Sequence, residues 1–448
     1  MRLPPAIIAH TEEVLREILR FTGPADGSLS YYFREHPRLG GRERGVIAEA
    51  VYGLLRNKSV YTSFSESGTG PLMRRITLLG LADAVGIDAL GGIDDVETAW
   101  LTRVMEVDRS HLPAALKSNM PEWLWTKMVE KSGEEQALEL ASALNTPASL
   151  DLRVNAMKAN RDEVIASLAQ APIIAEPTPY SANGLRIRKK PSIQNLPLFK
   201  DGSIEVQDEG SQVLAQILGA KRGEMVADFC AGAGGKTLAL GAQMRNTGRL
   251  YAFDISEKRL AKLKPRLARS GLSNVHPVVI AHERDAKIKR LAGKLDRVLV
   301  DAPCSGLGTL RRNPDVKWRQ TQAGVAELNV KQASILDSAA RLVKGGGRLV
   351  YATCSILDEE NEHIVQGFLA THPDFELVPM SVILAEQKIE LVMQDYLKLY
   401  PHQHQTDGFF AAVLQRKKAA AKPAVVNEVT EVNEVTDAAA TATATDTE

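Results

Sequence analysis

The hydrophobic rhythm of the chain changes three times along its length. Up to about residue 144 the apolar positions recur at helical spacing. Ile47, Val51, Leu54 and Leu55 fall on one face of a run that ends with Arg56 and Lys58. A further helix is predicted over 121–144, entered through Pro121 and rich in Ala, Leu and Glu. Alternation then takes over: Leu150, Leu152 and Val154 are spaced by polar residues in SLDLRVN (149–155), as in a strand. NRDEVIASL (160–168) has the form of a capped amphipathic helix, and GLRIR (184–188) of a second strand. These elements predict a small α+β unit over 145–204.

From about residue 205 apolar runs alternate with helical stretches. Strands are predicted at 225–230, 249–254, 275–280, 296–301, 347–354 and 409–416, with helices such as 257–270 and 325–343 between them. This is the α/β pattern of a largely parallel sheet covered on both faces, with ligands bound at the carboxyl ends of its strands. The catalytic region is therefore expected at 205–416. Beyond it, 417–448 repeats NEVT, then alternates Ala and Thr, and has no aromatic residue to seed a core. A disordered tail is expected there.

Of the 448 residues, 44% are hydrophobic and 25% charged, as in a soluble globular protein. No stretch approaches the roughly 20 apolar residues of a membrane span. The N-terminal run MRLPPAIIAHTEEVL turns acidic too soon for a signal or transit peptide. A cytoplasmic protein with no membrane partner is expected. The net charge is zero, but the six charges from Ala424 onward are all carboxylates, which leaves residues 1–423 at +6. Arg34, Arg38, Arg42, Arg44 and Arg56 add a basic stretch that is either a solvated surface or an RNA backbone contact.

The first catalytic-region strand runs into CAGAGGKT (230–237), where Gly232, Gly234 and Gly235 permit a sharp turn against a ligand. Position 237 is Thr, so the loop is not a dinucleotide fingerprint, and its glycines are too close for a P-loop. The next strand ends in Asp254, placed to accept from ribose hydroxyls. A glycine loop followed by such an acid is the usual arrangement for S-adenosylmethionine. Lys236, adjacent to the loop, is expected to serve the site.

The three cysteines lack C-x-x-C spacing, so neither a disulfide framework nor a metal site is expected. Cys230 lies inside the cofactor loop and is read as lining it. Cys304, in DAPCSGLGTLRRNPDVKWR (301–319), and Cys354, in YATCSILDEENE (351–362), end two adjacent strands at the ligand edge. Packing alone gives no reason for two thiols there.

These segments resemble the Sun/Nop family of RNA cytosine-5 methyltransferases, and most closely its RsmB-like bacterial branch. The resemblance rests on FCAGAGGKT (229–237), DAPCSGLGTLRRNPDVKW (301–318) and YATCSILDEEN (351–361), flanked by QDEGSQ (207–212) and DGFFAAVL (407–414). It covers roughly 120–416. One departure is Ala233, where the family usually has proline. The resemblance implies a Rossmann-like class I methyltransferase domain behind a ferredoxin-like α+β unit and an N-terminal helical domain (1–144) that resembles the NusB-like, RNA-binding one. It also implies action on RNA, with small-subunit ribosomal RNA the expected substrate and transfer RNA the alternative; a monomer is expected.

Carbon 5 of cytosine is a poor nucleophile until a thiolate adds to carbon 6. DNA cytosine-5 methyltransferases use the Pro-Cys position, here Cys304, for that attack. The RNA family uses the Thr-Cys position, so the resemblance implies attack by Cys354 and product release by Cys304, with Asp301 at the cytosine edge and near the cofactor's methionine end. By the same resemblance residues 230–236 (Cys230, Ala231, Gly232, Ala233, Gly234, Gly235, Lys236) hold the methionine end, Asp254 the ribose and Asp285 the adenine amine, with Glu283 competing for that last role. Arg311, Arg312, Lys317, Trp318 and Arg319 are expected to contact phosphates and a stacked base. A DNA enzyme is disfavoured because ENEH (360–363) does not supply its Glu-Asn-Val motif. A non-catalytic ribosome-assembly factor would have no use for two thiols at this edge.

Overall fold

The computed structural model describes residues 2–188 and 191–418. The tail expected from 417 onward lies almost wholly outside the described residues. Among the described residues, twelve strands form two sheets. β1 (Leu150–Val154), β2 (Ala175–Pro177), β3 (Gly184–Ile187) and β4 (Ile204–Val206) make an antiparallel sheet in the order β2-β3-β1-β4. Its apolar face, including Leu152, Val154 and Leu185, is covered by Val164 and Leu168 of the helix Arg161–Gln170. Asn160 caps that helix in a capping box with Glu163.

The larger sheet holds β5 (Met225–Asp228), β6 (Arg249–Asp254), β7 (Val275–Val279), β8 (Leu295–Asp301), β9 (Val343–Thr353), β10 (Phe375–Val378), β11 (Leu397–Leu399) and β12 (Phe409–Arg416). Its order is β10-β12-β9-β8-β5-β6-β7, with β11 also on β12. β7, β6, β5, β8 and β9 pair in parallel, whereas β12 runs antiparallel to β9, β10 and β11. Successive residues of each strand feed opposite cores, as a two-residue period requires. Val226, Leu299, Val350 and Val413 join one cluster with Leu214, Leu238 and Leu263; Ala227, Val298, Tyr351 and Phe410 join the other with Ile335 and Val365. This is the Rossmann-like class I arrangement, with the strand order reversing between β5 and β8.

The N-terminal region is helical and has its own core, built from Ile7, Leu15, Ile47, Leu54, Leu79 and Leu101 among others. Ile47, Val51, Leu54 and Leu55 are all buried, as their spacing predicts. Two predicted helices are each broken in two. The stretch 121–144 becomes Glu122–Ser132 and Glu134–Leu144, because Gly133 turns at φ +78°. The stretch 257–270 becomes Glu257–Ala261 and Leu263–Ser270, the second with Pro265 in its first turn. The 122–144 hairpin buries Leu124, Trp125, Ala141 and Leu144 against Leu307, Leu310, Ile356 and Leu357, the residues that follow Cys304 and Cys354. Among the described residues no helix is long and apolar enough to cross a membrane.

Candidate active site

The ends of β5, β6, β8 and β9 enclose a cavity of 610 Å³ lined by the loop from Phe229 to Lys236, except Gly234, by Asp254, Ile255, Ile280 and Glu283, and by Asp301, Cys304 and Cys354. The loop turns because Gly232 and Gly234 sit at φ +56° and +84°. A side chain at Gly234 would place Cβ 2.2 Å from Leu263 Cδ1, so the loop lies directly on the helix behind it. Gly232 N–H donates to Asp254 Oδ2 at 2.8 Å, and Asp254 Oδ1 accepts from Ser256 N and from the Arg259 guanidinium. One lone pair of Oδ2 is left for a ligand hydroxyl. The cavity joins a backbone cradle, a buried acid and two apolar side chains, Ile255 and Ile280, and these fit the sulfonium nucleoside that the sequence predicts.

The two thiols meet because their strands do. β8 and β9 are parallel neighbours with Asp301 opposite Ala352, so Cys304 and Cys354 leave the sheet at the same edge. Their Sγ atoms lie 3.2 Å apart, and Cys354 N–H points to Cys304 Sγ at 3.3 Å. The thiol–thiol contact and burial hold Cys304 protonated well above its ordinary range. Burial beside Asp301 and Asp228 likewise pushes the Cys230 thiol up, which suits a lining group.

Lys236 reaches across to Asp301, Nζ to Oδ2 2.7 Å. Burial works against its charge, but Asp301, Cys354 and Asp228 outweigh burial and hold it protonated above the usual lysine range. Beneath the loop Asp228 is buried, bonded to Thr237 through one oxygen and to nothing through the other. Burial, with Asp301 nearby, pushes its carboxyl up to about 7.

Two sets of expected residues lie elsewhere. Asp285 does not line the cavity; its carboxylate accepts from Ala281 N and Lys287 N, which hold it below the usual range while it caps the helix Ala286–Lys289. Glu283 is the acid that lines the cavity, steadied by Ser334 Oγ at 2.6 Å.

The segment expected to hold RNA is instead an internal joint. Arg312 pairs with Asp208 at 2.8 Å and Asp407 at 2.5 Å. Arg311 donates to the carbonyls of Gln405 and Thr406, and Arg319 pairs with Asp315. Lys317 is fully buried; its Nζ meets Asn145 Oδ1 and the Arg56 carbonyl, and burial lowers its pKa well below the lysine range. Trp318 Nε1 donates to the Leu55 carbonyl. The helix Gly41–Ser65 is kinked at Asn57, next to these two carbonyls, and the carbonyls receive Trp318 and Lys317. Charge and aromaticity suggested a ligand surface, but the partners are intramolecular. Of the N-terminal arginines, Arg34, Arg38 and Arg42 are exposed, whereas Arg44 binds the Leu39 carbonyl and Arg56 the Arg311 carbonyl.

Residue-by-residue reading missed Gln207, Ser211, Ile255, Ile280 and Lys331 as cavity lining. Gln207 and Ser211 lie in QDEGSQ, the signal that could have found them; Gly210 in the same run leaves room for the Phe409 ring, 2.5 Å from where a Cβ would stand. Ile255 had no sequence signal beyond following Asp254.

Comparison with known proteins agrees with this geometry. The family model of the 16S rRNA methyltransferases RsmB/F matches residues 215–415, and the model of the ferredoxin-like domain of RsmF/B-like methyltransferases matches 120–194. The chain is 33% identical over 437 residues to a probable ribosomal RNA small subunit methyltransferase B of Synechocystis sp., covering 90% of this chain and 98% of that one. It is 30% identical to the Bacillus subtilis protein of the same name, covering 85% and 92%. Among solved structures, PH0851 superposes with a TM-score of 0.74 at 27% identity, covering 93% of this chain and all of that one. A methyltransferase homologue from Pyrococcus horikoshii gives a TM-score of 0.59 at 29% identity, covering 69% and 100%.

Proposed function

The chain belongs to the RsmB/F family of 16S rRNA methyltransferases, and on that premise we propose that Cys354 and Cys304 together carry methyl transfer to carbon 5 of a cytosine in small-subunit ribosomal RNA. The chain is an S-adenosylmethionine-dependent RNA methyltransferase. The observation that supports the two-thiol reading is the 3.2 Å contact of Cys304 and Cys354 at the rim of the cofactor cavity.

S-adenosylmethionine supplies an electrophilic sulfonium methyl. The loop 230–236 would hold its methionine end and Asp254 its ribose, and Ile255, Ile280 and Glu283, rather than Asp285, would serve its adenine. The Cys354 thiolate adds to carbon 6 of the cytosine, which makes carbon 5 nucleophilic. Asp301, held by Lys236, hydrogen-bonds the cytosine edge as charge develops on the ring. After transfer a base removes the carbon 5 proton and Cys354 leaves from carbon 6 as thiolate, the release that this reading assigns to Cys304. The ring faces must be open to this chemistry, so the target base is presented unstacked. The division into 1–144, 145–204 and 205–416 belongs to this reading, the first segment presenting RNA through exposed arginines rather than through 311–319.

The test is methyl transfer from labelled S-adenosylmethionine to 16S rRNA lacking the modification, with transfer RNA as a second substrate. Cys354→Ala abolishes labelling, and Cys304→Ala accumulates a covalent protein–RNA adduct. An active Cys354→Ala with a cleanly dead Cys304→Ala reverses the roles. Labelling of transfer RNA alone moves the substrate.

A further inference from the structure

One buried acid ties together the two loops that carry the thiols, and the mechanism above does not use it. Glu360 is 0% exposed. Its Oε1 accepts from Ser305 N at 2.8 Å and from Gln332 Nε2 at 3.0 Å. Its Oε2 accepts from the hydroxyls of Ser305 and Ser355. Ser305 and Ser355 are the residues that directly follow Cys304 and Cys354. The frame extends outward: Gln332 also donates to the Pro303 carbonyl, and Tyr351 OH to the Glu360 carbonyl at 2.6 Å. Thr353 Oγ1 meets Asn361 Oδ1, and Asn361 Nδ2 meets the Ser355 carbonyl.

All four donors on the Glu360 carboxylate are neutral. A buried carboxylate costs stability unless its oxygens are fully bonded, and here each oxygen has two partners. An apolar side chain could fill the same space but could not hold a backbone N–H and two hydroxyls from different loops at one point. We propose that Glu360 is a positioning residue, which fixes the Cys304 and Cys354 loops to each other and so sets the separation of the two thiols. This rests on the reading of those thiols as the catalytic pair. Geometry of this kind is where small shifts matter, since a misplacement of about 1 Å can cost about 10²-fold in rate.

Phenylarsine oxide provides a readout independent of activity. It condenses with two neighbouring thiols to give a cyclic dithioarsenite and one water, and binds single thiols weakly. Wild type is expected to take up one arsenical at the pair, with Cys304→Ala as the baseline. Glu360→Ala should bind S-adenosylmethionine normally, bind the arsenical at least ~10-fold more weakly, and lose about 10²-fold in kcat with its cofactor KM unchanged. Glu360→Gln can keep all four contacts, because the amide donates to hydroxyls that turn to accept. It should restore both arsenical binding and most of the rate. If Glu360→Ala does not fold, Ser355→Ala decides, since it removes the Glu360 carboxylate's hydrogen bond to the residue after Cys354 and should shift both readouts in the same direction. Wild-type arsenical binding and rate in the variant that folds would overturn the proposal, as would a Glu360→Gln protein that fails to restore arsenical binding. If wild type binds the arsenical and Glu360→Ala does not, yet wild type labels no cytosine, the positioning role stands and the functional reading falls.

Discussion

Lys236 Nζ stands 2.7 Å from Asp301 Oδ2, joining the first turn of the cofactor-loop helix to the strand end that leads into Cys304. The ion pair places a cation among acids that also include Asp228, whose carboxyl is already pushed up by burial. Lys236→Met would leave Asp301 without its partner where charge develops on the base. A fall in kcat of about 10²–10³-fold is expected, with Lys236→Arg intermediate, measured as single-turnover methyl transfer. A rate near wild type would remove Lys236 from the chemistry.

Asp228 makes stability depend on pH. Its folded pKa of about 7 exceeds the ordinary 3.8, so the folded chain binds the proton more tightly than the unfolded chain does. The stabilisation is complete below the unfolded pKa, is lost as pH rises towards 7, and is flat above it. Asp228→Asn cannot ionise. Its melting temperature should therefore fall less between about pH 5 and about pH 8 than that of wild type. Parallel curves would mean that Asp228 titrates normally.

Arg312→Ala would leave Asp208 and Asp407 facing each other without a cation. Burial and Asp208 push the Asp407 carboxyl up to about 7 even with Arg312 beside it. Breaking such a pair costs about 3 kcal/mol, the low end of the usual range because Arg312 keeps 31% of its side chain exposed. Thermal or urea unfolding measures this loss. The slope of RNA affinity against salt should not change, because Arg312 is committed inside the fold; a slope shallower by about one would make it a phosphate contact after all.

Gly308→Ala tests the close contact beside the thiols. A Cβ there would lie 2.1 Å from Gly408 O and 2.9 Å from Cys354 O. The loop must move, so methyl transfer should drop ~10-fold or more, while equilibrium binding of S-adenosylmethionine, which depends on the ends of β5 and β6, persists. Unchanged transfer would show that the Cys354 loop tolerates displacement.

The parts of the fold and site legible in the sequence were those with a local cause. Strand periods placed β5, β6, β8 and β12 to within two residues, and glycine spacing placed the cofactor loop. Cys304 and Cys354 were legible as a pair because parallel neighbours deliver their loops to one edge. Gly133 broke a helix that composition had joined. What the sequence hid were choices among long-range partners. Arg312 and Lys317 have the composition of an RNA surface, and only the positions of Asp208, Asp407 and Asn145 make them internal. Asp285 looked like a ligand acid because nothing in the sequence reveals that its carboxylate caps the helix Ala286–Lys289, outside the cavity lining. Glu360 was in plain view in YATCSILDEEN, but its value depends on Ser305, 55 residues away.

β12 also bears on how the enzyme is made. It lies between β9 and β10 and brings Gly408 N to the Gly308 carbonyl at 2.8 Å. The wall behind the thiols is thus completed by a strand that leaves the ribosome long after Cys304 does. At about 5–20 residues per second the interval is on the order of ten seconds. During that time the nascent chain has its cofactor loop and Cys304, but not a finished sheet to hold the thiol loops in place. A polypeptide stalled before Phe409 should consequently be inert, and catalytic competence arrives only when the reversed strand slots in.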